Sequence, residues 1–223
     1  MLYTEKAVRE NLRNRDGKRV FYLGKGDQLT SDARDFLSRE RIEILPAHLA
    51  KPDRYRLEGG GYMEEKPEHM THLYGDVLVS KTHPRIAFRG AVDSLEAELL
   101  LCQIAVPEMK EELGEILSLA RKLIRYDVLN QPAEEEKLCG LTEKEIREHS
   151  HRPQDFYGVP HFMPEAKDGE KLLRLNRVRA MARSAELAAV RAFSGERQDI
   201  LRLMNRMSSM LYILMLRLKK QKM

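Results

Sequence analysis

From Phe88 onward the apolar residues recur at spacings of three and four, and this period restricts the chain to helices that each bury one face. Phe88, Val92, Leu95, Leu99, Cys102 and Val106 form the first stripe. Pro107 suits the first turn of a second helix running to about Leu129, with Met109, Leu113, Ile116, Ala120 and Leu123 inward. A third stripe joins Leu175, Val178, Ala182, Ala185, Ala189 and Ala192. After the turn SGERQD, Ile200 to Leu218 reads as a last helix roughly 30 Å long at ~1.5 Å per residue. Long helices joined by short to moderate links predict an antiparallel bundle of four or five helices. The expected fold class is mainly α, with a small N-terminal α/β unit.

Two of these stripes carry more than a fold. The alanines of the third helix let a neighbouring helix approach closely. The last helix is apolar over a wide arc, through Ile200, Leu203, Met204, Met207, Met210, Leu211, Leu214 and Met215. Such an arc either fills the core with adaptable methionines or leaves a surplus that faces another subunit.

Residues 1 to 60 read differently. TEKAVREN is a helix with Thr4 as N-cap and Glu5 in its first turn. RVFYL is a strand, GKGD a turn, LTSDARDFLSRE a helix opened by Thr30 or Ser31, and IEIL a second strand. The triplet Gly59 to Gly61 favours a flexible join, so the expected division is 1–60 for a small α/β unit and 61–223 for the helical domain. Residues 130 to 167 break the helical pattern with prolines, an acidic run and aromatics.

Composition narrows the function. In 223 residues, 42% are hydrophobic, enough for a core, and 33% are charged. The net charge of +4 comes from well-mixed opposite charges, which argues against a nucleic-acid partner. The apolar run Met210 to Leu216 is too short to span a bilayer, so no membrane association is expected. Cys102 and Cys139 stand far apart and form no metal or redox motif. With no signal-like start, a cytoplasmic location is expected.

The chemistry concentrates in the third helix. Arg179, Arg183 and Glu186 follow at spacings of four and three, so they share one helix face. Asp93 sits beside the apolar stripe of the first helix. Arginines collected without an equal number of carboxylates suit a polyanion, most simply a triphosphate. The competing reading is a buried ion-pair network with a structural role.

The stretch GDVLVSKTHPRIAFRGAVDSL resembles the corresponding segment of ATP:corrinoid adenosyltransferases of the propanediol-utilisation type, with Ser80, Lys81, Pro84, Arg85, Gly90, Asp93 and Leu95 at the matching places. Arg179, Arg183 and Glu186 are similar to the family's Arg-x-x-x-Arg-x-x-Glu, and Met204, Asn205 and Arg206 to its Leu-Asn-Arg. Three motifs in order over residues 62 to 216 make a specific signal. The N-terminal unit and the text REHSHRPQDFYGVPHFMP resemble the ethanolamine-utilisation type. LTSDARDFLSRERIEI is similar to segments of bacterial microcompartment enzymes, which implies a targeting or assembly role for the N-terminal unit.

The sequence also departs from the family. The stretch aligned with the Gly-rich nucleotide loop, YMEEKPEHMTHL, has no glycine, although it keeps Tyr62, Thr71 and Leu73 and offers Lys66 as a cation. Ser184 stands where Arg is frequent and Ser209 where Asp is expected. Some ethanolamine-type members resemble metalloproteins with a His and a Cys-Cys-x-x-Cys cluster. This chain has His69, His72 and His83 there but no cysteine, so no Cys-ligated zinc or iron is expected.

The resemblance implies transfer of the 5′-deoxyadenosyl group of ATP to a reduced Co(I) cobalamin or related corrinoid, releasing triphosphate. The implied catalytic residues are Arg179, Arg183 and Asp93, with Asp93 orienting an arginine through an ion pair. The implied ATP contacts are Lys66, Thr71, Lys81, Arg179, Arg183, Glu186 and Asn205, and Glu186 is the candidate ligand for Mg²⁺. Phe156, Tyr157 and Phe162 are the candidate corrinoid wedge that keeps one cobalt face dry; the alternative is a loop pinned to the bundle by three aromatics. His149, His151 and His161 lie nearby, and a free imidazole there could instead ligate cobalt. Expected partners are ATP, the corrinoid, a reductase supplying electrons, further copies of the chain in a homo-oligomer with an interfacial site, and microcompartment enzymes. A reading from a different class is a non-catalytic helical scaffold docked to a microcompartment.

Overall fold

In the computed structural model, residues 1–15, 17–50, 55–134 and 137–221 are described. They divide between two compact units, Met1–Lys81 and Thr82–Met223.

The first unit contains β1 (Leu2–Tyr3), α1 (Glu5–Glu10), β2 (Arg13–Arg15), β3 (Lys18–Leu23), β4 (Gln28–Leu29), α2 (Ser31–Arg39), β5 (Glu43–Pro46), β6 (Tyr55–Leu57), β7 (Tyr62–Met63), β8 (Met70–Tyr74) and β9 (Val77–Ser80). Both helices start where the sequence places their caps. The Thr4 hydroxyl accepts from the Ala7 N–H, and the Thr30 hydroxyl from the Ala33 N–H, each at 3.3 Å. Among the described residues the main sheet runs β5-β3-β2-β7-β6-β9-β8, while β1 and β4 pair in parallel apart from it. Val8, Phe21, Ala33, Phe36 and Leu37 fill a core under α1 and α2.

The glycine triplet expected to mark a flexible border at residue 60 forms the turn between β6 and β7. Leu57 N–H donates to the Gly61 carbonyl at 3.0 Å, and Gly60 and Gly61 have φ of +90° and +88°. A Cβ on Gly61 would stand 2.7 Å from the Leu12 carbonyl oxygen. Since β7 pairs with β2 and β6 with β9, the first unit continues to Lys81. The β8–β9 hairpin is absent from the sequence reading, because His72 and Tyr74 interrupt its alternation with half-polar rings.

The second unit is the bundle: α3 (Pro84–Ala105), α4 (Lys110–Val128), α5 (Glu143–His151), α6 (Pro153–Tyr157), α7 (Glu170–Phe193) and α8 (Gln198–Lys220). Cross-contacts fix the antiparallel order of α3 and α7. Phe88 meets Phe193 edge-on with centroids 5.4 Å apart, and Arg177 pairs with Glu98 at 2.8 Å. α7 also packs on α8, α3 on α4, and α5 and α6 on α8.

Of the two readings of the apolar arc of α8, the structure shows the core-filling one. Ile200, Met204, Met207, Met210, Leu211, Leu214 and Met215 are all fully buried. The physical reason is that α5 and α6 cover the side of α8 that four long helices would leave open, with Ile146, Tyr157 and Val159 joining the same core. Each such side chain contributes about 1.5–3 kcal/mol. The exposed apolar residues of the bundle lie elsewhere, including Leu100, Leu101 and Ile104 on α3 and Leu187 and Val190 on α7.

One buried charge cluster locks the start of α3 to the end of α4. Asp127 is fully buried, and its two carboxylate oxygens accept from Arg85 Nε and Arg89 Nε, each at 2.7 Å. Arg85 also donates to the Asp127 carbonyl at 2.8 Å. A second polar tie holds the segment after α4 to the start of α8. Asp199 accepts the Ala133 N–H at 2.7 Å and pairs with Arg197, which donates to the Gln131 carbonyl at 2.6 Å. Burial pushes the Asp199 carboxyl up, but Arg197 and the backbone N–H groups of Ala133 and Ile200 outweigh it and hold the pKa at about 2.

Asp127→Ala leaves two arginines without their buried partner, and the expected loss is about 3–5 kcal/mol. Urea unfolding should show a lower midpoint with an unchanged slope. For Asp199 the folded pKa lies below the unfolded value of about 3.9, so its contribution is present above that pH and is lost as pH falls toward 2. The stability gap between wild type and Asp199→Asn is therefore expected to be full at neutral pH and to close between about pH 4 and pH 2.

Candidate functional site

α7 buries Val178, Ala182, Ala185 and Ala189, which leaves Arg179, Arg183 and Glu186 on a different face of the same helix. Arg179 and Arg183 line an open cavity of about 570 Å³ whose other walls come from α8 and the strap from Val159 to Pro164. From α8 come Ser208, Ser209, Tyr212 and Met215; from the strap come His161, Phe162, Met163 and Pro164. Arg179 donates to Asn176 Oδ1 at 3.2 and 3.1 Å. Burial, with the Arg183 charge beside it, holds the Arg179 guanidinium below its ordinary value. Arginine remains cationic at neutral pH, so the half-buried Arg179 with the exposed Arg183 one turn away favours an anion beside them.

Glu186 and Asn205, expected separately as ATP contacts, meet across α7 and α8. Asn205 Nδ2 donates to Glu186 Oε1 at 2.7 Å, tying α7 to α8 one turn beyond Arg183. Asn205 Oδ1 in turn accepts from Arg206 Nη2. This leaves the second oxygen of Glu186 for a hard cation.

The three wedge aromatics separate. Phe162 lines the cavity, packs on Tyr212 at 6.0 Å and carries the Lys219 ammonium 4.3 Å from its ring centroid. Tyr157 is buried in the bundle core with its hydroxyl 2.8 Å from His149 Nδ1. Phe156 stacks on the His149 ring at 3.9 Å and is exposed. Neither of the last two lines the cavity.

His161 is engaged at both ring nitrogens. Nε2 lies 3.2 Å from the His151 carbonyl, which only accepts, so the proton sits on Nε2. Nδ1 then accepts the Tyr212 hydroxyl at 3.1 Å. Burial raises the Tyr212 phenol above its ordinary range, against the Phe162 N–H and the Arg179 charge. The sequence reading missed Tyr212, which it counted within an apolar run. Its position seven residues after Asn205, on the same helical face, was the available signal.

Asp93 is exposed on α3 and, among the described residues, forms no ion pair with Arg179 or Arg183. The expected pairing is not made within the chain. Lys66, Thr71 and Lys81 belong to the first unit: Lys66 is exposed, Thr71 pairs with Val79 across β8–β9, and the Lys81 ammonium lies 3.9 Å from Glu68. His83 caps α3, its Nδ1 accepting from the Arg85 N–H at 3.2 Å. Among the described residues no group of three or more His, Cys, Asp or Glu side chains is arranged to hold a metal. Burial pushes the thiol of Cys102 up to about 11 and, with Glu115 and Glu112 adding to it, that of Cys139 to about 12, so neither is a nucleophile at neutral pH.

Comparison with known proteins fits this architecture. The corrinoid adenosyltransferase EutT of Salmonella typhimurium strain LT2 is 35% identical over 158 residues, covering 68% of this chain and 59% of that protein. EutT of Escherichia coli strain K12 is 33% identical over the same length and shares. The chain thus spans about three fifths of the length of these relatives. Two structures of a PduO-type ATP:corrinoid adenosyltransferase from Lactobacillus reuteri, a Phe→His and a Phe→Ala variant, each complexed with cobalamin and ATP, share the fold. Their TM-scores are 0.55 and 0.54 at 20% and 21% identity, covering 69% of this chain and 87% and 90% of theirs. The sequence model of the cobalamin adenosyltransferase family matches residues 61–218, and the chain belongs to that family.

Proposed function

We propose that this protein transfers the 5′-deoxyadenosyl group of ATP to a Co(I) corrinoid, giving adenosylcobalamin and triphosphate, in ethanolamine catabolism. The observation that carries this reading is the cavity where Arg179 and Arg183 stand opposite Phe162 and Tyr212, beside the Glu186–Asn205 hydrogen bond. A cationic wall beside an aromatic one suits a polyphosphate next to a large apolar ring system.

The cobalt electron pair forms the bond to C5′ while the C5′–O bond breaks and its electrons leave with triphosphate. The nucleophile belongs to the corrinoid, so the chain needs no activated side chain. Its task is to align ATP and to neutralise the charge that grows on the departing phosphates. Arg179 and Arg183 do this in the proposal, Asn205 supplies a neutral hydrogen bond, and Glu186 with the phosphate oxygens holds Mg²⁺. Phe162 provides the apolar surface against the corrin, and the two hydrogen bonds of His161 keep its imidazole from cobalt. Phe156 and Tyr157 serve in the proposal by bracing the strap through His149. Lys66, Thr71 and Lys81 are kept as ATP contacts on sequence grounds alone.

The reading extends to a homo-oligomer with an interfacial site, where the exposed Asp93 is available to a neighbouring copy and the exposed Leu100, Leu101 and Ile104 supply apolar surface. A reductase delivers electrons to the corrinoid. The location proposed is cytoplasmic, in association with microcompartment enzymes through the first unit. No helix among the described residues is long and apolar enough to cross a membrane. The scaffold alternative accounts for the first unit but leaves the paired arginines and the Glu186–Asn205 bond without a role.

Adding ATP and a chemically reduced corrinoid should produce the absorbance of a cobalt–carbon bond. Arg179→Ala and Arg183→Ala are each expected to slow that step at least about tenfold with the fold retained. Unfolded variants with unchanged activity per folded molecule contradict the assignment. Treatment with a strong chelator followed by Mg²⁺ should restore full activity. A stoichiometric transition metal, lost together with activity on changing His69 or His72, contradicts the metal reading.

A further inference from the structure

A second cavity, of about 350 Å³, lies in the bundle between α4, the segment before α5, α5 itself and α8. Leu119, Leu138, Ile146 and Leu203 give it an apolar lining. Its charged lining comprises Lys122, Lys137 and Arg206 against Glu115 and Glu143, an excess of one positive charge. The volume falls in the range of small-molecule sites, and an apolar wall with a few converging charged groups is their usual make-up.

Arg206 is the informative residue. Its side chain is 15% exposed, and among the described residues its buried Nε has no hydrogen-bond partner. Its Nη2 is committed to Asn205 Oδ1. The nearest carboxylate oxygen recorded for Nε, Glu143 Oε1, is 3.8 Å away, beyond hydrogen-bond reach, on a side chain 39% exposed. Glu115 Oε2 accepts the Cys139 N–H at 2.7 Å. A buried cationic donor left unmet costs free energy, and an anionic acceptor brought into the cavity removes that cost.

We propose that this cavity binds a small monocarboxylate with an aliphatic tail, its head on Arg206 Nε and its tail against Leu119, Leu138, Ile146 and Leu203. The single net positive charge and the two nearby carboxylates favour a monoanion over a phosphate dianion. Glu143 gives way toward solvent as the ligand head takes its place. Arg206 also holds Asn205 through Nη2, so the two sites share a hydrogen bond, and binding is read without ATP or corrinoid to keep the two proposals distinguishable.

The test is calorimetric titration of the full chain with octanoate at neutral pH, without ATP or corrinoid. Saturable binding at one site per chain is expected. Arg206→Gln should weaken it at least about tenfold, the loss of one charge-assisted hydrogen bond. Leu203→Trp, which fills the apolar wall, should weaken it similarly. Glu143→Gln, a change at a half-exposed position, removes the competing carboxylate and should tighten binding about threefold. No saturable binding, equal affinity in wild type and folded Arg206→Gln, or unchanged affinity in Glu143→Gln would each overturn the proposal, and water alone then satisfies Arg206.

Discussion

The packing of α7 on its alanine stripe sets the geometry on which the candidate site depends. Ala182, Ala185 and Ala189 are fully buried, and side chains this small let α7 lie close to its neighbours α3 and α8. At that spacing Glu186 reaches Asn205 at 2.7 Å, and Arg179 and Arg183 face Tyr212 across a cavity. Larger residues in the stripe would move the helices apart and break a contact whose useful range is a few tenths of an ångström. The site is thus a consequence of helix spacing as much as of the charged residues themselves.

Much of this was legible because helical period is a local signal. The four long helices, the caps at Thr4 and Thr30, and the turn at Gly24–Asp27 follow from residues within a few positions of one another. The sharing of one face by Arg179, Arg183 and Glu186 follows in the same way. The failures are non-local. Gly59–Gly61 reads as a linker until β2 and β9 are known to pair with the strands beside it. α8 leaves core filling and a subunit-facing surplus both open until α5 and α6 are placed over it, and Asp127 is an unremarked acid until Arg85 and Arg89 arrive from 42 and 38 positions away.

The aromatic strap shows the same division at finer scale. Its sequence announced aromatics and histidines without saying which would face inward. Gly158, at φ +69°, ends α6 and redirects the chain, so Tyr157 turns into the core while Phe162 comes to the cavity four residues later. His161 follows Tyr212 because Nδ1 finds the phenol and Nε2 the His151 carbonyl. That pairing links the strap to α8 at Tyr212, which also feels the Arg179 charge from α7.

Binding of the leaving group by itself tests the central claim most directly, since it needs neither reduced cobalt nor turnover. Inorganic tripolyphosphate with Mg²⁺, titrated into the full chain, is predicted to bind saturably, to weaken with added salt, and to lose at least about tenfold in affinity when Arg179 and Arg183 are both changed to Ala in a protein that remains folded. Equal affinity in wild type and the folded double variant would contradict the assignment of these arginines to the triphosphate.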